Sequence, residues 1–246
     1  MKTIIPWIGG KSLLAKRIVS LFPDNIDRYI EVFGGGASVL FYKEKHAPFE
    51  VYNDADSQLV NLFKCVKFHR SELQREISTY INSREVFEDI KELASIRGLT
   101  DIQRAAMFFV QAKISYGADR RSFGCSTKNL SADHLEEFEK RLKSGKGVII
   151  EHKDFENLIS VYDRSNSLFY CDPPYHKTER FYDVPFNEKD HLRLNASLKA
   201  IKGRFILSYN DDEFIRELYK EYDIISFSRP NNLSSGEFKE VIIKNF

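Results

Sequence analysis

The stretch from Tyr29 to Asp54 constrains the fold most. Tyr29-Ile30-Glu31-Val32-Phe33 has the pattern of a buried strand and runs straight into Gly34-Gly35-Gly36. Phe49-Glu50-Val51-Tyr52 is a second strand pattern, ending at Asn53-Asp54, and a helix is expected between the two from about Ala37. Strand, glycine turn, helix and a strand with a terminal acid form the opening of a nucleotide-binding α/β unit. Glycines let the backbone approach a ligand, because no Cβ stands in the way. Asp54 stands where an acid can hydrogen-bond a ribose hydroxyl; capping the next helix is the other reading of that position.

Strand-like runs resume far downstream, at Val148-Ile149-Ile150, Ser167-Leu168-Phe169-Tyr170, Arg204-Phe205-Ile206-Leu207, 222–227 and Val241-Ile242-Ile243. Together with the first two they predict an α/β fold on a mostly parallel sheet of about seven strands. The last two runs are joined without room for a helix, so that pair is expected to be antiparallel. Between the two groups, from about Ser57 to Lys146, helical periodicity dominates, as in Leu59, Leu62, Phe63, Val66 and again in Ala105, Phe108, Phe109, Ala112. A segment rich in Gly, Ser and basic residues, Tyr116 to Lys128, interrupts it. Residues 1–56 and 147–246 are therefore expected to form one α/β domain and 57–146 a helical insert.

A formal net charge of +1 over 246 residues carries no bulk mark of a nucleic-acid partner, so any basic surface has to be local. The run Lys140-Arg141-Leu142-Lys143 with Lys146 reads as a solvated helix end. No segment approaches the roughly 20 apolar residues of a membrane span, and the N-terminus lacks the apolar stretch of a signal peptide. Cys65, Cys125 and Cys171 have no paired spacing, which suggests neither a disulfide framework nor a zinc site. A cytoplasmic protein is the expectation.

Asp172-Pro173-Pro174-Tyr175 follows the strand pattern ending at Cys171, at the strand's carboxyl end, where ligands bind in open α/β sheets. Two prolines fix φ and remove two donors, leaving a stiff turn whose carbonyls are free to accept. A carboxylate acceptor, a free carbonyl and a flat ring are what a planar base with an exocyclic amine needs. Taken alone, the same turn also reads as a plain strand terminus with a solvated Asp and a packed Tyr.

The ordered set of motifs resembles the Dam-type, or D12-class, DNA adenine methyltransferases. The elements are Pro6-Trp7-Ile8-Gly9-Gly10-Lys11, Glu31-Val32-Phe33-Gly34-Gly35-Gly36-Ala37-Ser38-Val39, Asn53-Asp54, Asp172-Pro173-Pro174-Tyr175, Ser208-Tyr209-Asn210 and Glu240-Val241-Ile242-Ile243-Lys244-Asn245. They span nearly the whole chain. The resemblance implies a Rossmann-like class I methyltransferase fold, S-adenosyl-L-methionine as cofactor, and transfer of its methyl group to the 6-amino group of adenine in double-stranded DNA after base flipping.

By resemblance, Trp7 and Lys11 contact the cofactor, the lysine near its carboxylate. Phe33, Gly34 and Gly36 line its methionine and ribose portion, Asp54 binds its adenosine part, and Asp154-Phe155 contact its adenine. Asp172 borders both cofactor and target, and with Pro173, Pro174 and Tyr175 forms the catalytic turn. Neither a metal nor a covalent nucleophile is implied. The helical insert becomes the target-recognition part, with Arg120 and Arg121 in Tyr116–Gly124 as candidate base or phosphate contacts. Lys177 and Arg180, after the catalytic turn, are candidate phosphate contacts, and His176 reads as a loop histidine. The chain lacks the Asn-Gly-Leu-x-Arg segment and the Phe-Asn-Val-Pro run of the GATC-methylating members, so the recognition sequence stays open. A monomer is expected, with a cognate restriction nuclease as a candidate partner.

Two other readings keep this fold: a different acceptor amine (cytosine 4-amino, RNA or protein), or a catalytically silent DNA-binding homologue. A nicotinamide dehydrogenase fits Gly34–Gly36 and Asp54 only superficially, because no full G-x-G-x-x-G is present and the Asp172–Tyr175 turn would go unexplained.

Overall fold

Seven strands form one sheet in the order β3-β2-β1-β4-β5-β7-β6 in the computed structural model of the chain. They are β1 (Arg28–Glu31), β2 (Phe49–Asn53), β3 (Ile149–Glu151), β4 (Ser167–Cys171), β5 (Arg204–Asn210), β6 (Asp223–Pro230) and β7 (Glu237–Lys244). The structure describes residues 3–94, 96–125, 127, 129–230 and 237–246. Met1, Lys2 and Lys128, the end of the basic segment, lie outside them. Strands β1 to β5 pair in parallel. Strand β7 inserts antiparallel between β5 and β6. The expected antiparallel pair is thus present, with β7 placed inside the sheet edge.

Strands β1, β2 and β4 are buried on both faces because helices cover both. Alternate residues serve opposite cores. Tyr29, Tyr52, Leu168 and Tyr170 face α1 (Ala15–Ser20) and the helices between β2 and β3. Ile30, Val51, Phe169 and Cys171 face α7 (Phe155–Tyr162), α8 (Glu188–Ala200) and α9 (Glu213–Leu218).

The intervening helices are α2 (Ser57–Phe68), α3 (Arg70–Ile77), α4 (Arg84–Leu93), α5 (Asp101–Ile114) and α6 (Leu135–Lys143). Helix α2 begins at Asp56, whose carboxylate accepts the amides of Gln58 and Leu59. A capping box between Thr100 and Gln103 starts α5.

Two expectations are corrected. No α-helix follows Ala37; only a 3-10 turn, Leu40–Tyr42, is present. Ala37 sits at φ +55°, outside helical geometry, and Pro48 bars a helix from running up to β2. Arg141 is not part of a solvated helix end. It is 2% exposed, and its guanidinium binds both Glu50 carboxylate oxygens at 2.7 and 2.9 Å and the carbonyls of Leu40 and Lys43. This fork ties α6 to β2 and to the turn that leaves the glycines.

Candidate active site

Because β1 to β4 run the same way, the segments leaving them gather at one edge of the sheet. The crossover direction reverses between β1 and β4, the switch point where open α/β sheets bind ligands. A cavity there is lined by Trp7, Lys11, Phe33, Gly34, Gly36, Asp54, Asp154, Phe155 and Asp172, together with Pro174. Every position that the resemblance assigns to the cofactor therefore borders one space.

Gly34 and Gly35 have to be glycine. A Cβ on Gly34 would lie 2.1 Å from the Tyr52 ring, and Gly35 adopts φ +49° with Trp7 Nε1 2.7 Å from where its Cβ would be. Asp54 braces this turn: Oδ2 accepts Gly35 N–H and Oδ1 accepts Asp56 N–H, both at 2.8 Å. Burial pushes its pKa up to about 6 against those bonds. Asp54 is thus neither the N-cap of α2, which is Asp56, nor a freely projecting acid.

Asn53 staples the strand ends. Its amide donates to the carbonyls of Val32 and Lys153 and accepts Lys153 N–H, which sets Asp154 beside the glycine turn. Asp154 caps α7 and pairs with Arg193 at 3.0 Å. The Arg193 guanidinium covers the Phe155 ring at 4.7 Å. Phe33, Phe155 and Phe186 form an aromatic wall with centroids 5.6 to 6.0 Å apart.

Asp172 leaves β4 into the same cavity. Lys11 Nζ lies 2.8 Å from Asp172 Oδ1 and donates to Gly9 O at 2.8 Å. The approach to Oδ1 is an ion-pair contact without hydrogen-bond direction, so this buried oxygen has no well-directed donor among the described residues. Burial raises the Asp172 pKa to about 6, and Lys11 opposes that rise.

Tyr175 is buried; its hydroxyl donates to Glu240 Oε1 at 2.7 Å, and Lys11 Nζ stands 4.7 Å from its ring centroid. Its neighbour Phe238 lies parallel to it at 6.3 Å. Tyr175 and Pro173 are not among the residues lining the cavity, where Tyr182 lies instead.

The arginines of the insert are placed differently from a free reading loop. Arg120 is 12% exposed, held between Trp7 at 4.6 Å and Phe108 at 4.8 Å, and ion-paired to Asp183 and, at 3.7 Å, to Asp56. Arg121 is 51% exposed and reaches Asp183 and the Arg180 carbonyl, each at 3.3 Å. Lys177 is exposed and pairs with Asp212, which also holds His176 Nδ1 at 2.9 Å. Arg180 is exposed on a 3-10 turn that His191 pins through Glu179 at 2.9 Å.

Other cavity residues escaped the sequence reading. Glu31 was visible as a lone acid in an apolar run; burial drives its pKa up to about 8 against a hydrogen bond from Tyr29. Tyr182, Phe186 and Arg193 carry no local pattern that marks them, since only the fold brings them to the glycine turn.

Residues 7–232 match the family described as D12 class N6 adenine-specific DNA methyltransferase. Among curated proteins, the chain is 26% identical over 234 residues to the Type II methyltransferase M.CviBI of Paramecium bursaria Chlorella virus NC1A, covering 90% of this chain and 88% of that protein. It is 25% identical over 276 residues to the Type II methyltransferase M1.LlaDCHI of Lactococcus lactis subsp. cremoris, covering 100% and 96%. It is 27% identical over 267 residues to the Type II methyltransferase M.MjaIII of Methanocaldococcus jannaschii, covering 91% and 90%.

Proposed function

Because the chain belongs to the D12 class of N6 adenine-specific DNA methyltransferases, its reaction is methyl transfer to adenine in DNA, and we propose that it draws the methyl group from S-adenosyl-L-methionine at the cavity beside Asp172. The observation that carries this reading is the shared space between the glycine turn and the Asp172 carboxylate. The residues fit such a donor. Trp7, Phe33 and Phe155 offer apolar surface, Asp54 keeps lone pairs for hydroxyls, and Lys11 offers an ammonium to a carboxylate. Gly34 and Gly36 bring the backbone close, and Asp154 borders the aromatic wall where the adenine would lie. When bound, the donor supplies an electrophilic methyl on a sulfonium.

The chain's own residues do the rest. A target adenine cannot be reached inside a duplex, so it is flipped out at a cost of a few kcal/mol. Asp172 Oδ1, an acceptor without a well-directed donor, takes one hydrogen of the 6-amino group, and the Pro173 carbonyl takes the other. Both bonds draw the nitrogen out of conjugation and aim its lone pair. Tyr175, held through Glu240 and outside the cavity lining, stacks on the base only when Lys11 or Phe238 yields a face of its ring. The amine's surplus proton leaves after transfer, and positioning supplies much of the rate.

Residues 57–146 are the target-recognition part in this reading, with Arg121, Lys177 and Arg180 toward the duplex. Arg120, enclosed as it is, reaches DNA only if its clasp opens. The relatives' names place them in type II modification, and on that ground a restriction nuclease of the same specificity is the cognate partner. No helix among the described residues is long and apolar enough to cross a membrane, in keeping with action in the cytoplasm.

The test is to incubate the purified chain with methyl-labelled S-adenosylmethionine and separate pools of DNA, RNA and protein. Label in DNA recovered as N6-methyladenine supports the reading; label in another pool, or as N4-methylcytosine, overturns it.

A further inference from the structure

Arg120 and Arg121 are neighbours in sequence but face different parts of the molecule. Arg120 lines the donor cavity, and its guanidinium lies against Trp7, which in turn backs Gly35. Arg121 stands half-exposed on the outer side. One carboxylate joins them: Asp183 pairs with Arg120 through Oδ2 and with Arg121 through Oδ1. Asp183 belongs to the loop after the catalytic turn, and the residues that follow it, Val184 to Phe186, wall the same cavity. The insert and the catalytic loop therefore meet at a single acid.

We propose that Asp183 is a coupling residue through which DNA held at Arg121 tightens the donor cavity at Arg120. The proposal rests on the reading that Arg121 faces the duplex. In the DNA-free protein Asp183 divides its charge between two guanidinium groups. A DNA phosphate is a bidentate partner for arginine and competes for Arg121, whose contacts with Asp183 and with the Arg180 carbonyl are long, at 3.3 Å. With Arg121 on phosphate, Asp183 is left to Arg120 alone. That concentrates the ion pair on the guanidinium packed between Trp7 and Phe108 and fixes the wall that Trp7 gives the donor. By linkage, the donor then strengthens DNA binding by the same factor. Arg120 is on this account a cavity-wall residue, and the adjacent arginine is the one that senses DNA.

The test measures the affinity of S-adenosylhomocysteine by equilibrium dialysis, with and without saturating sheared genomic DNA from a host lacking the enzyme. In the wild type, DNA tightens binding by about five- to tenfold, within the usual range of such couplings. Asp183→Asn gives one affinity with and without DNA. Arg121→Gln, which leaves Asp183 to Arg120, binds the ligand without DNA nearly as tightly as the wild type does with it. An acid that merely shaped the wall would shift both affinities together and leave their ratio intact. The proposal is overturned if the wild-type ratio is one, if Asp183→Asn keeps the wild-type ratio, or if Arg121→Gln binds like the DNA-free wild type. Asp183 and Arg121 are both about half-exposed, so neither substitution strikes the core. The same DNA is assayed for N6-methyladenine after incubation with the methyl donor. Methylated DNA with no coupling overturns this proposal alone, whereas DNA that is neither bound nor methylated overturns the proposed activity and the coupling with it.

Discussion

Lys11 Nζ lies 2.8 Å from Asp172 Oδ1, a buried ion pair between the position assigned to the donor's carboxylate and the carboxylate assigned to the target amine. Lys11 is 6% exposed, so the pair interacts with little screening by water. In the proposed mechanism Asp172 accepts amine hydrogens as a carboxylate, and burial moves its pKa up to about 6. Lys11 lowers that value, while Glu240 raises it. Methyl transfer should therefore fall as pH drops through about 6. Lys11→Met should move that acidic limb to higher pH in a kcat/KM profile, besides weakening donor binding. An unchanged limb would show that the pair does not set the charge of Asp172.

Glu31 gives a stability prediction of opposite sign to that of a salt-bridged acid. Its folded pKa, about 8, lies above its ordinary 4.5 because of burial, so the native state holds a proton that the unfolded state releases. Between those values the native state binds more protons, and stability falls as pH rises from about 5 to 8. Glu31→Gln should remove this component. The melting-temperature difference, variant minus wild type, should grow more positive across that window in thermal scans.

The Arg141–Glu50 fork predicts a large structural cost. Arg141→Met leaves Glu50 buried without its counter-charge and should destabilise by about 3–5 kcal/mol in denaturant titration. The double variant Arg141→Met with Glu50→Gln should recover much of that loss, because no uncompensated charge is left inside.

How far the sequence discloses this architecture depends on the range of the signal. The glycine turn and the Asp172–Tyr175 turn are local patterns, and the parallel strands that carry them bring the glycines, Asp172 and Pro174 to one cavity. Ala37 misleads because its apolar followers mimic a helix, whereas its positive φ is set by the turn. Arg141 looks solvated among lysines; its partner Glu50 lies 91 residues away, and no local pattern foretells it. Arg120 reads as a candidate DNA contact, and its enclosure has no local signal for the same reason, since Trp7, Phe108 and Asp183 come from three separate segments. Asp54 follows the end of β2, where its sequence position puts it, and there its carboxylate braces Gly35.

Tyr175 and Glu240 separate ring from hydroxyl. Tyr175→Phe keeps the stacking face and removes the donor to Glu240, so it should cost about 1–3 kcal/mol of stability and reduce turnover moderately. Tyr175→Ala removes the face as well and should reduce turnover much further. Equal turnover in the two variants, measured with label transfer to DNA, would remove stacking from the mechanism.

In the proposed mechanism Asp172 directs methyl transfer to the 6-amino group of adenine in DNA. Sequencing of DNA from cells expressing the wild type or Asp172→Ala, read for modified adenines, addresses it most directly. The expected result is N6-methyladenine at one recurring sequence in the wild type and a loss of at least about a hundredfold in the variant, the scale of removing one key polar contact to the reacting group. Wild-type levels of methylated adenine with Asp172→Ala would contradict it.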